Sequence, residues 1–195
     1  WAVVAGNGQD SSSGMAKIFV IYLDAGLSDT NGWDSGSDYC VLSTDSTTSN
    51  GMGSPTVILS DTGTAEYIYA GDLQGRMWRF NVADGSGNCP SAWKQNEVFK
   101  AVNASTQVQP ITAAPKIEVG PNGGVMVVFG TGKYSTSADP TDMTTQSLYG
   151  VLDDLSNSPK ISRASLVEQT ITRQTTTSFS NSETKASYTE EIRET

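Results

Sequence analysis

The chain has 195 residues, 36% of them hydrophobic, and a formal net charge of −9 at neutral pH. That length and apolar content support a buried core and exclude wholesale disorder. Because the chain contains no histidine, Ser-His-Asp catalysis, Cys-His catalysis and histidine metal ligands are excluded. The negative charge disfavours nucleic acid as a partner. The apolar runs of the sequence, such as residues 125–129, are too short for stable membrane insertion.

β-Branched and aromatic runs bounded by Gly, Asp and Asn predict a series of strands, whereas helix signals are weak. In chain order, the predicted strands are residues 3–5, 17–23, 56–59, 66–71, 76–82, 97–102, 111–119, 125–129, 146–153 and 166–172. The polar stretch 27–55 is predicted to be a long surface insertion. In the strand 76–82, Trp78 and Phe80 are predicted to face the core, and one arginine is predicted to stay exposed.

An irregular repeat organises these strands. Apolar strands end at Gly6, Gly71 and Gly130, a loop follows each, and the next strand is aromatic-rich and closes on Asp. This repetition predicts an all-β, irregular β-propeller with long loop insertions, in which neighbouring blades stack. Because the chain holds only some blades and starts without Met or a signal peptide, we expect a fragment of a larger ring. The blades are predicted over residues 1–174. A polar segment, 175–195, is predicted to be an exposed ribbon or a poorly ordered terminus.

The two cysteines, Cys40 and Cys89, each lie in a loop rich in Gly, Ser and Asp. In an acidic, Ser/Thr-rich chain this arrangement predicts an exported protein with one disulfide; the alternative is two unpaired thiols in a cytosolic protein. Two thiols alone do not make a metal site. The loop aromatics Trp33, Tyr39 and Trp93 are predicted either to form a recognition patch or to cap the disulfide.

Four strings in fixed order carry a resemblance to a known family. The most specific is YAGDLQGRMWRF (69–80); the others are WAVVAGNG (1–8), QPITAAP (109–115) and FGTGKY (129–134) with QSLYG (146–150). They resemble the C-terminal propeller of the PilC/PilY family, the tip-associated adhesins of bacterial type IV pili. The family pattern at the first string is YAGDLxGNLWRF, so this chain departs from it at Arg76 and Met77. The resemblance covers residues 1–174.

The resemblance implies a modified β-propeller on a cell-surface protein that supports pilus assembly, counters retraction, and mediates adhesion and surface sensing. It implies a non-enzymatic role, with no catalytic residues and no assigned cofactor. The implied partners are minor pilins or host and surface ligands. The implied location is extracellular, at the cell surface or the pilus tip, after export through the periplasm.

Many members of that family carry a calcium loop just before the YAGD string. Here the corresponding residues, 61–67, contain only two carboxylates, Asp61 and Glu66, whereas calcium takes about six to eight oxygen ligands. An ordinary turn is therefore predicted, with bound calcium as the alternative. The adjacent Asp153 and Asp154 do not suit glycoside hydrolysis, because neighbouring residues of a strand point to opposite faces.

Two other functions fit the same pattern. The repeats are also similar to those of quinoprotein dehydrogenase propellers, which bind pyrroloquinoline quinone and calcium, but no acidic and cationic pair can be assigned to such a site. A host- or carbohydrate-binding propeller unrelated to pili is the other alternative.

Overall fold

The computed structural model of the chain contains two compact units, Trp1–Arg163 and Ala164–Thr195. The residues that the structure describes are 1–9, 11, 14–28, 30–44, 49–83, 89–156, 161–169, 173–180 and 187–194. The strands of the first unit are β1 Ala2–Gly6, β2 Lys17–Tyr22, β3 Tyr39–Ser43, β4 Thr56–Leu59, β5 Ala65–Gly71, β6 Arg76–Asn81, β7 Lys94–Lys100, β8 Lys116–Val119, β9 Val125–Gly130 and β10 Leu148–Asp153. The helical elements of the described chain are α1 Leu23–Ser28 and short 3-10 turns at Pro121–Gly123, Asp139–Thr141 and Arg163–Ser165.

The described strands of the first unit form three antiparallel sheets, which we call blades 1, 2 and 3. Blade 1 has the order β1–β2–β3, blade 2 the order β4–β5–β6–β7, and blade 3 the order β8–β9–β10. Each strand pairs with its neighbour in sequence, as expected for hairpin-connected blades.

Blades 1 and 2 stack through one face of each sheet. The apolar cluster between them contains Ile18 and Cys40 of blade 1 together with Ile68, Trp78 and Phe80 of blade 2. The predicted burial of the Trp78 and Phe80 side chains is therefore confirmed. Each fully buried side chain of this size contributes roughly 1.5–3 kcal/mol relative to an exposed one.

Blades 2 and 3 stack through the opposite face of blade 2. Phe99 of β7 packs against Phe129 and Tyr149 of blade 3, with ring centroids 6.0 and 4.9 Å apart. Successive sheets thus pack face to face, which confirms the predicted β-propeller. In the described part of the chain the sheets do not close into a ring, as in a partial set of blades.

The predicted repeat is confirmed at its glycines. Gly6, Gly71 and Gly130 are the last residues of β1, β5 and β9. A Cβ atom on Gly6 would collide with the carbonyl oxygen of Gly53, and one on Gly71 would collide with the side chain of Ile111. Glycine is required at these two strand ends because another chain segment passes directly against the backbone.

The prediction of one long surface insertion over residues 27–55 is wrong. This stretch contains β3, the third strand of blade 1, and a fully buried residue, Met52. The apolar part of β3 is short and is flanked by Ser and Asp. Its alternation of buried Cys40 and partly exposed Val41 therefore gives only a weak strand signal in the sequence.

Pro115 shortens the predicted strand 111–119. Because proline has no N–H to donate, the ladder of β8 starts after it, at Lys116. Upstream of the proline, Ile111 makes an isolated parallel bridge with Gly132. This segment therefore crosses between two blades and does not lengthen one of them.

The second unit contains a two-stranded antiparallel ribbon, β11 Arg173–Ser180 and β12 Ser187–Glu194. The predicted strand 166–172 is wrong over residues 166–169, which form no strand; residues 170–172 lie outside the described part of the chain. The two apolar residues of that segment, Leu166 and Val167, are adjacent and are followed by two polar residues, so the sequence does not alternate between apolar and polar positions. The division between blades and terminal segment at residue 174 stays a prediction.

Candidate functional site: the turn motif and the exposed loops

The YAGDLQGRMWRF string, which we call the turn motif, forms the end of β5, a tight turn and β6. Its Asp72 is fully buried. One carboxylate oxygen accepts the backbone N–H groups of Gln74 and Arg76, each at 2.9 Å. The other oxygen accepts the indole N–H of Trp78 at 2.8 Å and the side-chain amide of Asn50 at 2.9 Å. These donors compensate the burial of the carboxylate, so Asp72 fixes the turn, the next strand and the segment before β4 together.

In the other two blades, a different side-chain oxygen accepts a backbone N–H group at the corresponding position. Asn7, which follows the last residue of β1, accepts the backbone N–H of Lys17 through Oδ1 at 3.0 Å. Thr131, which follows the last residue of β9, accepts the N–H of Ser147 through Oγ1 at 2.8 Å. The first residue of each turn thus uses a side-chain oxygen to hold the returning chain, and Asn, Asp and Thr are equivalent in this role.

Two extended segments, residues 50–55 and 109–115, run between the turns of neighbouring blades; we call them belt segments. Each contributes one fully buried apolar side chain, Met52 or Ile111. Met52 forms an antiparallel bridge with Asp72, and the N–H of Ile111 donates to the carbonyl oxygen of Asp72 at 3.0 Å. The turn of blade 2 is therefore held from both sides, by the segment that connects blade 1 to blade 2 and by the segment that connects blade 2 to blade 3.

A buried ion pair joins blades 2 and 3. The Arg79 Nη1 atom of β6 lies 2.6 and 2.8 Å from the two carboxylate oxygens of Asp153 at the end of β10. The Tyr69 hydroxyl donates to the same carboxylate at 2.9 Å, and Arg79 Nη2 donates to the Ser156 carbonyl at 2.9 Å. Burial is the main cause that raises the pKa of Tyr69 far above its ordinary value, and the negative charge of Asp153 is the second.

This ion pair corrects the prediction of an exposed arginine, because the Arg79 side chain is only 2% exposed. The sequence shows Asp153 only as the acidic residue that closes an aromatic-rich strand, and its charge partner is not evident there. Asp153 is buried and Asp154 is exposed, as strand alternation predicts. The polar groups of the turn motif described above bond within and between blades. These groups of the motif therefore have a structural role.

Cys40 and Cys89 form the predicted disulfide. It connects β3 of blade 1 to the loop between β6 and β7 of blade 2, across a sequence separation of 49 residues. Trp93 packs against the apolar cluster that includes Cys40, and the Tyr39 carbonyl oxygen lies 3.3 Å from Cys89 Sγ. Trp93 therefore packs in the same cluster as the disulfide, whereas Trp33 lies over α1 and is 48% exposed.

The segment 61–67, where an ordinary turn is predicted, begins in a tight hairpin turn between β4 and β5. The N–H of Ser60 donates to the Thr64 carbonyl at 2.7 Å, and the Ser60 hydroxyl accepts the N–H of Thr64 at 3.1 Å. Asp61 lies on the exposed side of this turn. Across the described residues, no group of three or more His, Cys, Asp or Glu side chains is arranged to hold a metal ion.

The loop between β9 and β10, residues 131–147, presents large apolar side chains to solvent. Tyr134 is 80% exposed and Met143 is 90% exposed. Asp139 orders the loop by bonding to Lys133 Nζ at 2.9 Å and by accepting backbone N–H groups at its start. The Lys133 bond, followed by those N–H groups, holds the pKa of Asp139 well below its usual range.

Comparison with known proteins places these features in a family. The family model of the PilY1 β-propeller domain matches residues 1–184. The chain belongs to the PilY1 family. It is 31% identical, over 93% of its length, to the type IV pilus biogenesis factor PilY1 of Pseudomonas aeruginosa. It is 33% identical, over 88% of its length, to a PilY1 homolog of Xylella fastidiosa.

The fold is also similar to a solved structure. The crystal structure of the P. aeruginosa PilY1 C-terminal domain superposes with a TM-score of 0.78 at 29% identity, covering the whole of this chain and 43% of that one. This chain spans only 17% and 12% of the P. aeruginosa and X. fastidiosa relatives. The family resemblance predicted from the four strings is thus confirmed. The names of these relatives describe pilus biogenesis factors and no enzymatic activity.

One further property concerns membranes. Within the part of the chain that the structure describes, none of the helices combines the length and apolarity needed to span a bilayer.

Proposed function

We propose that this propeller unit is a non-enzymatic module of a type IV pilus assembly factor, which supports pilus biogenesis and surface adhesion through its exposed loops. Its partners are pilin-type proteins or ligands on host and other surfaces, and it acts outside the cell, at the cell surface or the pilus tip. Membership of the PilY1 family supports the pilus role.

One observation carries the assignment of binding to loops. Asp72, Arg79 and Tyr69, the polar side chains that make the turn motif recognisable, bond to groups inside the blades. The described loop between β9 and β10, in contrast, exposes Tyr134 and Met143. Aromatic side chains on an ordered loop provide contact area at low conformational cost, which favours this loop as the binding surface.

The test uses the full-length parent protein in piliated cells. A Tyr134→Ser/Met143→Ser variant removes the exposed apolar side chains of the loop. Val119→Ser is the matched control, because Val119 is 93% exposed and lies on β8, outside this loop. We expect the loop variant to reduce surface attachment or the number of pili, at unchanged protein level, and the control to leave both at wild-type values.

Labelled antibody against the parent protein provides the second measurement. We expect it to stain unpermeabilised cells or pilus tips. A signal confined to the cytoplasm, or equal loss of attachment in the loop variant and the control, would refute the proposal.

A further inference from the structure

Asparagine precedes glycine at four places in the chain: Asn7, Asn31, Asn50 and Asn122. Glycine carries no Cβ, so its backbone nitrogen can approach the side-chain carbonyl carbon of the preceding asparagine without obstruction. This attack of the glycine nitrogen on the asparagine side chain can occur only where that side chain is free to rotate. The structure separates Asn122 from Asn7 and Asn50 by that criterion. Asn31 is exposed like Asn122, whereas Asn7 is partly buried and Asn50 is buried.

Asn7 is fixed within the turn of blade 1. Its Nδ2 atom donates to Ser11 Oγ at 2.9 Å and to the Met15 carbonyl at 2.8 Å. Its Oδ1 atom accepts the N–H of Lys17 at 3.0 Å and that of Met52 at 2.9 Å. Both ends of the carboxamide are therefore bonded, and rotation of the side chain would break contacts on either side.

Asn50 is fixed even more directly. Its side chain is buried and donates to Asp72 Oδ2 at 2.9 Å. The N–H of Gly51, whose nitrogen would have to attack, donates to Asn50 Oδ1 at 3.0 Å. Attack at this position requires the turn of blade 2 to open first.

Asn122 has the opposite surroundings. It lies in the exposed turn between β8 and β9, with φ 56° and ψ 30°. A Cβ atom added to Gly123 would meet no atom within 4 Å, so the space around the peptide is open. The turn is closed by the bonds from Gly120 N–H to the Gly124 carbonyl at 2.8 Å and from Gly124 N–H to the Pro121 carbonyl at 3.1 Å. Rotation about ψ of Asn122 disturbs only this local turn.

We propose that Asn122 is a site of spontaneous deamidation. The Gly123 nitrogen attacks Cγ of Asn122, an N–Cγ bond forms, the nitrogen loses its proton, and the Cγ–Nδ2 bond breaks with release of ammonia. Water then opens the resulting five-membered imide at either carbonyl, which gives aspartate or isoaspartate. Amide is exchanged for carboxylate, and no atom is oxidised or reduced.

The modification changes one particular surface. The turn borders a groove of about 460 Å³ between β4 and β8, whose lining includes Val57, Ile117 and Val119 as well as Gly123 and Gly124. Deamidation places a new negative charge at the rim of this largely apolar groove. The isoaspartate product also inserts a methylene group into the main chain within the turn that these two hydrogen bonds close.

The test incubates the folded chain in warm, mildly alkaline buffer and quantifies the peptides around Asn7, Asn50 and Asn122 by mass spectrometry over time. Isoaspartate is identified by enzymatic methylation with an isoaspartyl methyltransferase. We expect conversion at Asn122 to run at least tenfold ahead of conversion at the other two positions. In urea, where all three are unfolded, we expect similar rates at all three.

Asn122→Gln is the control variant. A longer side chain disfavours ring closure, so this variant should lose conversion at that peptide. Because the φ of 56° at this position suits asparagine better than glutamine, we expect a small loss of folded stability and a chain that stays folded. Conversion at Asn122 that is no faster than at Asn7 and Asn50 in the folded chain would overturn the proposal. So would a difference between the three positions that persists unchanged in urea, because it would then owe nothing to the fold.

Discussion

Removal of the Cys40–Cys89 disulfide tests how blades 1 and 2 are held together. The bond closes a loop with a sequence separation of 49 residues. For a loop of that size, the chain-entropy model gives a stabilisation of about 4 kcal/mol, because the cross-link restricts the unfolded chain. For a domain of this size, that loss corresponds to a fall in Tm of roughly 8–16 °C. We therefore expect a large decrease in stability with little change in the folded blades.

The assay is urea unfolding of Cys40→Ala, Cys89→Ala and the double variant, with the reduced wild type as a reference. Either single substitution already breaks the cross-link, so the three variants should lose similar amounts of unfolding free energy and the double-mutant cycle should show strong coupling. Additive losses from the two single variants, or an unfolding free energy that reduction leaves unchanged, would refute the reasoning. A larger loss in Cys40→Ala than in Cys89→Ala would measure the extra cost of a cavity, because Cys40 is buried.

The same bond can be examined under force. When the chain is pulled from its ends, the disulfide keeps residues 41–88, which include β4, β5 and β6, from extending. Reduction should release roughly 160–175 Å of additional contour length, at about 3.3–3.6 Å for each residue of the 49-residue separation. Equal extension before and after reduction would show that the loop is not closed in the folded protein.

Substitutions at Asp72, Arg79 and Tyr69, together with a second-site change at Asp153, test the interior polar network by urea unfolding. Asp72→Ala should cost about 3–5 kcal/mol, because it leaves several buried N–H donors, including the Trp78 indole, without an acceptor. Arg79→Met should cost about 3–5 kcal/mol, since Asp153 then stays buried without its cation, and adding Asp153→Asn should recover part of that loss. The pKa of Tyr69 is raised in the folded state, so its contribution to stability is complete below its ordinary value of 10.0 and declines at higher pH. Tyr69→Phe should flatten the alkaline decline, and an unchanged pH profile in that variant would contradict the assignment.

The parts of the fold that could be predicted from sequence are those fixed by local backbone constraints. Gly6, Gly71 and Gly130 mark strand ends, and their spacing reveals the repeat. At Gly6 and Gly71 another segment passes too close to the backbone for a Cβ atom. The disulfide could be predicted because both cysteines follow stretches rich in Gly, Ser and Asp in an acidic chain, although Cys40 itself lies on β3 and not in a loop. The burial of Trp78 and Phe80 followed from period-two alternation.

The parts that could not be predicted depend on contacts distant in sequence. Arg79 and Asp153 are 74 residues apart, so nothing local shows that the charge of one compensates the charge of the other. An arginine in a strand is normally exposed, and only the stacking of blade 3 on blade 2 makes this one buried. Strand β3 could not be predicted for a related reason. Its own apolar pattern is short, and it is held by pairing with β2 and by the burial of Cys40 in the apolar cluster.

The placement of the turn motif has a consequence for how function is tested in this family. A string whose Asp72, Arg79 and Tyr69 side chains bond inside the blades can recur in proteins that recognise different ligands, because it specifies a sheet and leaves the loops unconstrained. A substitution in the motif would abolish activity by loosening the blades, whatever the ligand. Discrimination between pilus assembly, adhesion and other binding roles therefore requires exchange of exposed loops, such as residues 131–147, on a propeller whose motif is left intact.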